Sequence, residues 1–498
     1  MNPTNGVLPR AATGVGGLDE IIGGGFARNR LHLLEGSPGS GKTTIALQFL
    51  MTGAAAGETG IYVSLAETEQ ELRDGAASHG WTLDDHIKVL EMIPPEGAFD
   101  PDQHQSLLYS SDLELGETIQ RIFDAIGQLK PQRVVIDSLS EIRLLAQSSL
   151  RYRRQILALK HYFARNNCTV ILLDDLTSDT VDQAMHSIAH SVIHLDQLVP
   201  LYGGERRRVR VIKSRGQSFR GGFHDFIIRQ GGVEVFPRLV AAEHRQLRKM
   251  DLIHSGVAEL DQLLGGGIET GSSTLVIGPA GTGKSLILLK YIAAAVARGE
   301  RAALFAFDEE LGLLFARTRQ LGLDLEAMRD SGKLFIEQVD AAELSPGEFA
   351  HRVRSYVDEQ DIRTVVIDSL NGYQASMPEE QFLILHIHEL LQYLNRQGAA
   401  TFLALAQHGL VGDMRSGVDL TYLADTVILL RYFEALGRVR RAVSVIKKRT
   451  GAHEDTIREF RIGSNGITVG PPLKEFQGVL RGIPTYIGAE KPSIGKPE

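Results

Sequence analysis

Two copies of a phosphate-binding loop stand in this one chain, and each fixes the fold around it. The first reads Gly36-Ser37-Pro38-Gly39-Ser40-Gly41-Lys42-Thr43 and the second Gly278-Pro279-Ala280-Gly281-Thr282-Gly283-Lys284-Ser285. Both fit G-x-x-x-x-G-K-[ST]. Each follows an apolar run (31–34 and 273–277) and precedes an apolar helical pattern (44–50 and 286–294). That strand–loop–helix setting is the context the motif requires. The glycines let backbone N–H groups turn inward around phosphate oxygens. Lys42 and Lys284 neutralise the outer phosphates of a nucleotide such as ATP, and the Thr43 and Ser285 hydroxyls hold Mg²⁺.

The duplication reaches beyond the loops. Thr13-Gly14-Val15-Gly16-Gly17-Leu18-Asp19 and Gly23-Gly24-Gly25 precede the first, and Ser255-Gly256-Val257-Ala258-Glu259-Leu260-Asp261 and Gly265-Gly266-Gly267 the second. Each half then carries an apolar run ending in an acid, Val135-Ile136-Asp137 and Val366-Ile367-Asp368. Each closes on a basic triplet, Lys213-Ser214-Arg215 and Lys447-Lys448-Arg449. The chain is a tandem repeat of one nucleotide-binding domain. A length of 498 residues exceeds what one core organises. The expected division is 1–240, 241–485 and a flexible tail at 486–498, with the boundary in the charged, helix-forming stretch 241–251.

Near-continuous β-branched runs recur at 61–65, 134–136, 169–173 and 192–195, and again at 303–307, 365–367, 401–405 and 426–430. Such runs suit strands buried on both faces of a mainly parallel sheet flanked by helices. Hairpin-like strands at 208–214 and 222–230 finish the first half. The expectation is α/β: two RecA-like P-loop NTPase domains.

Composition excludes several classes. The net charge is −8 and the pI about 6.1, so no basic footprint for nucleic acid exists, and Arg206-Arg207-Arg208 reads as a solvated strand start. The single Cys168 rules out a disulfide framework or a cysteine zinc site and reads as buried and structural. No apolar stretch is long enough for a bilayer and no signal pattern opens the chain, so the expectation is a cytoplasmic protein. His386 and His388, two apart on a helix, face different ways and are not a metal pair. His408 stands where a nucleotide sensor or a plain turn residue would.

Hydrolysis needs a carboxylate that activates water near the outer phosphate. In RecA-like domains it ends the strand after the P-loop helix. The candidates are Glu67 in the first half and Asp308 and Glu309 in the second, with Glu69 and Glu310 equally suited to a helix N-terminus. Asp137 and Asp368 end buried strands and suit Mg²⁺ and its water shell; hydrogen bonding alone is the competing role. Lys213 with Arg215, and Lys447 with Arg449, fall on one strand face. They suit either the phosphate of a neighbouring subunit or a solvated hairpin.

Taken together, the glycine-rich preludes, the acidic turns, the basic triplets, the stretch Ala424-Asp425-Thr426-Val427-Ile428-Leu429-Leu430-Arg431-Tyr432 and Ile457-Arg458-Glu459-Phe460 resemble the KaiC family of circadian-clock ATPases and autokinases. The resemblance covers roughly residues 10–485. It implies a double-ring homohexamer with ATP between subunits, a slow ATPase in the first ring, and self-phosphorylation and dephosphorylation in the second. It also implies clock-like or stress signalling with a KaiB-like protein partner. The family's paired acids map to Ala66-Glu67, where one is missing, and to Asp308-Glu309, where the first is a methylene shorter. Asp308 is then the second ring's general base and a metal ligand as well. The adjacent phosphoacceptors map to Thr421 and Tyr422, and Ser416 stands for a nearby threonine. Further implied nucleotide contacts are Thr44, Ser78, Ser214, Leu286, Arg441, Lys448 and His453, beside the loop residues and the triplets. The family's C-terminal extension is short here, which argues against regulation through that tail. The reading from a different class is a signalling scaffold that assembles on ATP without significant kinase activity.

Overall fold

The computed structural model describes residues 9–92, 107–176, 183–199, 203–243, 250–307, 309–375, 380–407, 420–435, 437–463, 466–481 and 485–487. Asp308, Ser416, His408 and most of the expected tail lie outside these residues. Two compact units divide the chain, Met1–Arg238 and Leu239–Glu498. Of the expected helical stretch at 241–251, the described part holds only a short 3-10 turn, Ala241–Glu243.

A nine-stranded sheet organises each unit. In the first the strands are β1 (Leu31–Gly36), β2 (Gly60–Ser64), β3 (Ile87–Glu91), β4 (Arg133–Asp137), β5 (Thr169–Asp175), β6 (Ser191–Leu198), β7 (Arg206–Ser214), β8 (His224–Arg229) and β9 (Gly232–Phe236). In the second they are β10 (Ser273–Gly278), β11 (Arg301–Ala306), β12 (Leu334–Gln338), β13 (Ile362–Asp368), β14 (Ala400–Ala406), β15 (Thr426–Ala435), β16 (Arg438–Lys448), β17 (Arg458–Gly463) and β18 (Gly466–Pro472). Their spatial orders are the same, β3-β2-β4-β5-β1-β6-β7-β8-β9 and β12-β11-β13-β14-β10-β15-β16-β17-β18. The first six strands in each order run parallel and the last three return antiparallel. These are tandem RecA-like domains.

Both faces of each sheet are covered. Leu34, Tyr62, Val135 and Ile171 pack into one cluster, while Leu33, Val63, Val134 and Val170 pack into another. Adjacent residues of one strand thus enter opposite cores, which is why the strands read as unbroken apolar runs. The second unit repeats the pattern. Edge strands β3 and β12 have mixed burial and no such run, and the apolar pattern does not mark them.

The repeated prelude has a structural task. The Asp19 carboxylate accepts from Thr13 N at 2.9 Å and the Thr13 hydroxyl from Val15 N at 3.1 Å. Asp261 and Ser255 make the same bonds at 2.8 and 3.1 Å. The triple glycines follow with φ of 69–117° and 69–141°, which side chains with a Cβ rarely adopt. A Cβ at Gly25 would come 2.3 Å from Ala11 O, and one at Gly265 would come 1.9 Å from Ala452 O. Among the described residues no helix is long and apolar enough to cross a membrane. Cys168 is buried, its thiol donating to Pro131 O at 3.1 Å, and burial pushes its pKa up to about 11.

Candidate nucleotide site

In both units the P-loop leaves the carboxyl end of a central strand and runs into a helix, α1 (Lys42–Ala55) or α2 (Lys284–Ala297). This is where ligands bind in open parallel sheets. Gly39 and Gly41 have φ of 78° and 95°, and Gly281 and Gly283 of 75° and 104°. A Cβ at Gly41 would meet Ile228 at 2.7 Å, and one at Gly283 would meet Ile462 at 2.8 Å, so strands β8 and β17 back the two loops. Ser40 Oγ is buried in the first loop with no hydrogen-bond partner among the described residues, whereas Thr282 Oγ1 donates to Pro279 O at 2.8 Å in the second.

Lys42 is buried and holds three acceptors: Gly36 O at 2.8 Å, Ser37 O at 2.9 Å and Asp175 Oδ1 at 2.7 Å. Lys284 repeats the first two, on Gly278 O and Pro279 O, both at 2.9 Å. Burial lowers its pKa, with the Asp368 charge opposing. Beside the first loop, Tyr62 OH donates to Asp137 Oδ2 at 2.5 Å, with the Thr43 hydroxyl close by. Burial raises the Asp137 pKa, with the Asp175 charge adding to it and Tyr62, Lys42 and Thr43 opposing. Glu67 follows β2, its N–H donating to Ser64 Oγ at 2.9 Å. Partial desolvation, then the charges of Asp137, Glu71 and Asp175, raise its pKa.

Deeper under the loop, Glu35 is buried between His186 at 2.8 Å and His194 at 3.3 Å. Those two partners outweigh desolvation and lower its pKa.

The expected acids separate in the second unit. Glu310 caps helix α3 (Leu311–Gln320), its carboxylate accepting from Leu313 N at 2.9 Å. Glu309 is ion-paired with Arg317 at 2.6 Å. In the first unit Thr68, not Glu69, caps helix Glu69–Ser78 through a capping box with Glu71, and Glu69 pairs with Arg73.

Several expected contacts lie elsewhere. Lys448 is turned away from Lys447 and Arg449, bonding Leu264 O at 2.8 Å and Gly267 O at 3.0 Å with Glu269 at 3.0 Å. Its side chain braces the triple-glycine turn, because neighbours on a strand face opposite ways. The Leu286 side chain is core, and the Ser78 hydroxyl bonds Gly75 O. Arg441 stands apart from the triplet, its guanidinium 5.6 Å from the Tyr432 ring, whose OH donates to Ala280 O in the second P-loop. His453 Nδ1 lies 2.8 Å from Glu454 O, in the loop that packs on Gly265. Sequence reasoning missed Asp175, Tyr62 and Tyr432. Asp174-Asp175 closes an apolar run just as Asp137 does, and that signal was present.

The triplets lie at the opposite end of each sheet from their own loop. Lys213 pairs with Val192, which pairs with Leu33, three residues before Gly36. Lys448 pairs with Thr426, which pairs with Thr274, four residues before Gly278. At strand rise these offsets are about 10 and 13 Å. Lys213 bonds His186 O and Arg215 bonds Ser187 O, while Lys447 bonds Thr421 O at 2.9 Å and Ala424 O at 2.7 Å. Arg449 bonds Tyr422 O at 2.6 Å.

The Asp137 carboxylate and the Thr43 hydroxyl beside the first loop are hard oxygens, which fits Mg²⁺. Among the described residues no three His, Cys, Asp or Glu side chains converge as a metal cage. One hydroxyl and one carboxylate suffice for Mg²⁺ that keeps waters and substrate phosphates.

A paired RecA-type domain with two P-loops and acid-ended neighbouring strands defines a P-loop ATPase. The family model for the KaiC ATPase matches residues 11–240 and again 253–474, and the chain belongs to that family. It is 28% identical over 484 residues to the circadian clock protein KaiC3 of Synechocystis sp., covering 96% of this chain and 95% of that one. It is 29% identical over 491 residues to the circadian clock oscillator protein KaiC of Thermosynechococcus vestitus (97% and 93% covered). With KaiC of Synechococcus elongatus it shares 27% over 498 residues (99% and 95%). Family membership implies ATPase activity and nucleotide binding.

Proposed function

We propose that the chain is an ATP-bridged ATPase assembling as a double-ring homohexamer, whose second unit also phosphorylates and dephosphorylates itself. The observation that carries this reading is the placement of Lys213 and Arg215, and of Lys447 and Arg449, at the sheet end remote from their own P-loop. Cations so placed suit the phosphates of a neighbouring copy. A cavity of about 240 Å³ at that end of the first unit is lined by Arg30, Lys160, His190 and Arg215, none of them acidic.

The roles follow from chemistry. Lys42 and Lys284 offset charge on the outer phosphates. Thr43 with Asp137, and Ser285 with Asp368, would hold Mg²⁺, which when bound neutralises charge developing on the transferred phosphoryl group. Glu67 takes the proton from water in the first unit, its raised pKa suiting a base. In the second unit Asp308 has that role, since Glu309 is committed to Arg317. Thr421 is the main acceptor and Tyr422 a lesser one. Their carbonyls are held by Lys447 and Arg449, so acceptor and phosphate-binding cations belong to one surface.

Incubation with γ-labelled ATP and Mg²⁺, followed by peptide mapping, tests the reading. Label on Thr421 that is lost in Lys284→Ala and kept in Lys42→Ala is expected. Label confined to other segments would refute Thr421 and Tyr422 as acceptors, and none in intact assemblies would refute the autokinase.

A further inference from the structure

The two nucleotide sites share a fold and differ at one position beside the loop lysine. Asp175 ends β5 in register with Gly36, and its carboxylate takes the third acceptor position on Lys42 at 2.7 Å. The equivalent residue in the second unit, in register with Gly278, is Ala406. Its methyl group accepts nothing, and its backbone is held by Asn371, at 2.7 Å to Ala406 N and 3.1 Å to Ala406 O. Tyr62 has a similar asymmetry: the strand position paired two residues before Asp137 is Tyr62, while the one paired two before Asp368 is Leu304.

We infer that Asp175 makes nucleotide binding at the first site depend on a divalent cation, while the second site tolerates metal-free nucleotide. This rests on the nucleotide-binding reading above and goes beyond it. A phosphate oxygen reaching Lys42 must share or displace Asp175, whose side chain is 29% exposed while Lys42 is 6% exposed. The same carboxylate is close enough to act on Asp137, so two acids stand by one lysine at the first site. A metal-free polyphosphate adds further negative charge at distances of a few ångströms, where Coulomb repulsion in partly buried surroundings is strong. A divalent cation reverses the local charge and turns Asp137 and Asp175 from repelling groups into attracting ones. At the second site Ala406 contributes no charge, and Lys284 meets the phosphates without that competitor.

The test is equilibrium binding of a fluorescent, non-hydrolysable ATP analogue to the full chain, in excess Mg²⁺ and in excess EDTA. Lys284→Ala isolates the first site and Lys42→Ala the second. Removal of the metal is expected to weaken the first site more than the second, by an additional factor on the order of tenfold. Asp175→Asn should narrow that gap, and Ala406→Asp should impose the metal requirement on the second site. Equal metal dependence at both sites would overturn the inference. So would an Asp175→Asn chain that binds more weakly by one common factor with and without metal, since that is the mark of a merely structural partner of Lys42. Should Asp175→Asn not fold, the comparison of the two sites and the Ala406→Asp chain still decide the matter. An absence of binding at both sites in Mg²⁺ would instead defeat the nucleotide-binding reading, and the inference with it.

Discussion

Tyr62→Phe isolates one bond of the first site. Tyr62 is fully buried, and its phenol donates to the Asp137 carboxylate at 2.5 Å. Phenylalanine fills the same space, so no cavity forms and the change is the loss of one charge-assisted hydrogen bond. Such bonds contribute about 1.5–3 kcal/mol. Asp137 already has a raised pKa because it is buried, and Tyr62 is the first group opposing that shift. Its removal raises the Asp137 pKa further. A carboxyl raised in the folded state favours folding relative to the unfolded chain only below its unfolded pKa, and that advantage is lost as pH rises through the folded value. The variant should therefore lose stability at neutral pH by about the strength of the bond. It should also need more Mg²⁺, since an outer partner that orients a metal-binding carboxylate typically governs about 10–100-fold of affinity. The two magnitudes agree, at about 1.4 kcal/mol per decade. The assay is Mg²⁺ titration of analogue binding in a Lys284→Ala background, beside denaturant unfolding of the same chain. A Tyr62→Phe protein with unchanged half-saturating Mg²⁺ would refute the view that Tyr62 positions Asp137.

Other outcomes are as specific. Lys213→Ala/Arg215→Ala should still bind nucleotide in its own loop but form smaller species, read by light scattering with and without ATP; unchanged mass would count against bridging between copies. Glu67→Gln should lower first-site hydrolysis by roughly 10²-fold or more with Lys284→Ala silencing the second site, measured as phosphate release. Because desolvation and the charges of Asp137, Glu71 and Asp175 raise the Glu67 pKa, that hydrolysis should fall on acidification above the ordinary glutamate range, and Asp175→Asn should move the fall to lower pH. Lys448→Met should destabilise the second unit in thermal unfolding without changing nucleotide affinity, since the ammonium braces a turn.

What was legible in the sequence follows from what leaves a periodic or chemical mark. The loops, the central strands and the duplication are written in glycine spacing and doubly buried apolar runs. Strands β3 and β12 were not, because an edge strand with one covered face carries too short an alternation. The destination of Lys448 follows from strand alternation with Lys447, but only the structure supplies the turn that receives it. Placing Lys213 remote from Gly36 requires the antiparallel return of β7 along β6, a long-range pairing that no local signal encodes. Asp175 was readable as an acid ending an apolar run, yet its meaning depends on β5 lying directly beside β1, which is a fact of sheet order.

That sheet order also explains how one duplicated fold supports two unlike sites. The strands flanking the P-loop strand end beside the loop, so a substitution at a strand terminus alters charge at the site while the core is untouched. In the first unit the termini and the strand beside them supply Asp175, Asp137 and Tyr62, with Glu67 in the following turn. The second unit keeps Asp368 but has Ala406 and Leu304 at the other two places. Burial of the strands constrains their interiors to apolar residues and leaves their ends open to change. On the function proposed above, that difference would bias the first site towards holding metal and activating water. The second lacks counterparts of Asp175 and Tyr62, and its proposed acceptors Thr421 and Tyr422 lie at the far end of the same sheet, remote from their own loop.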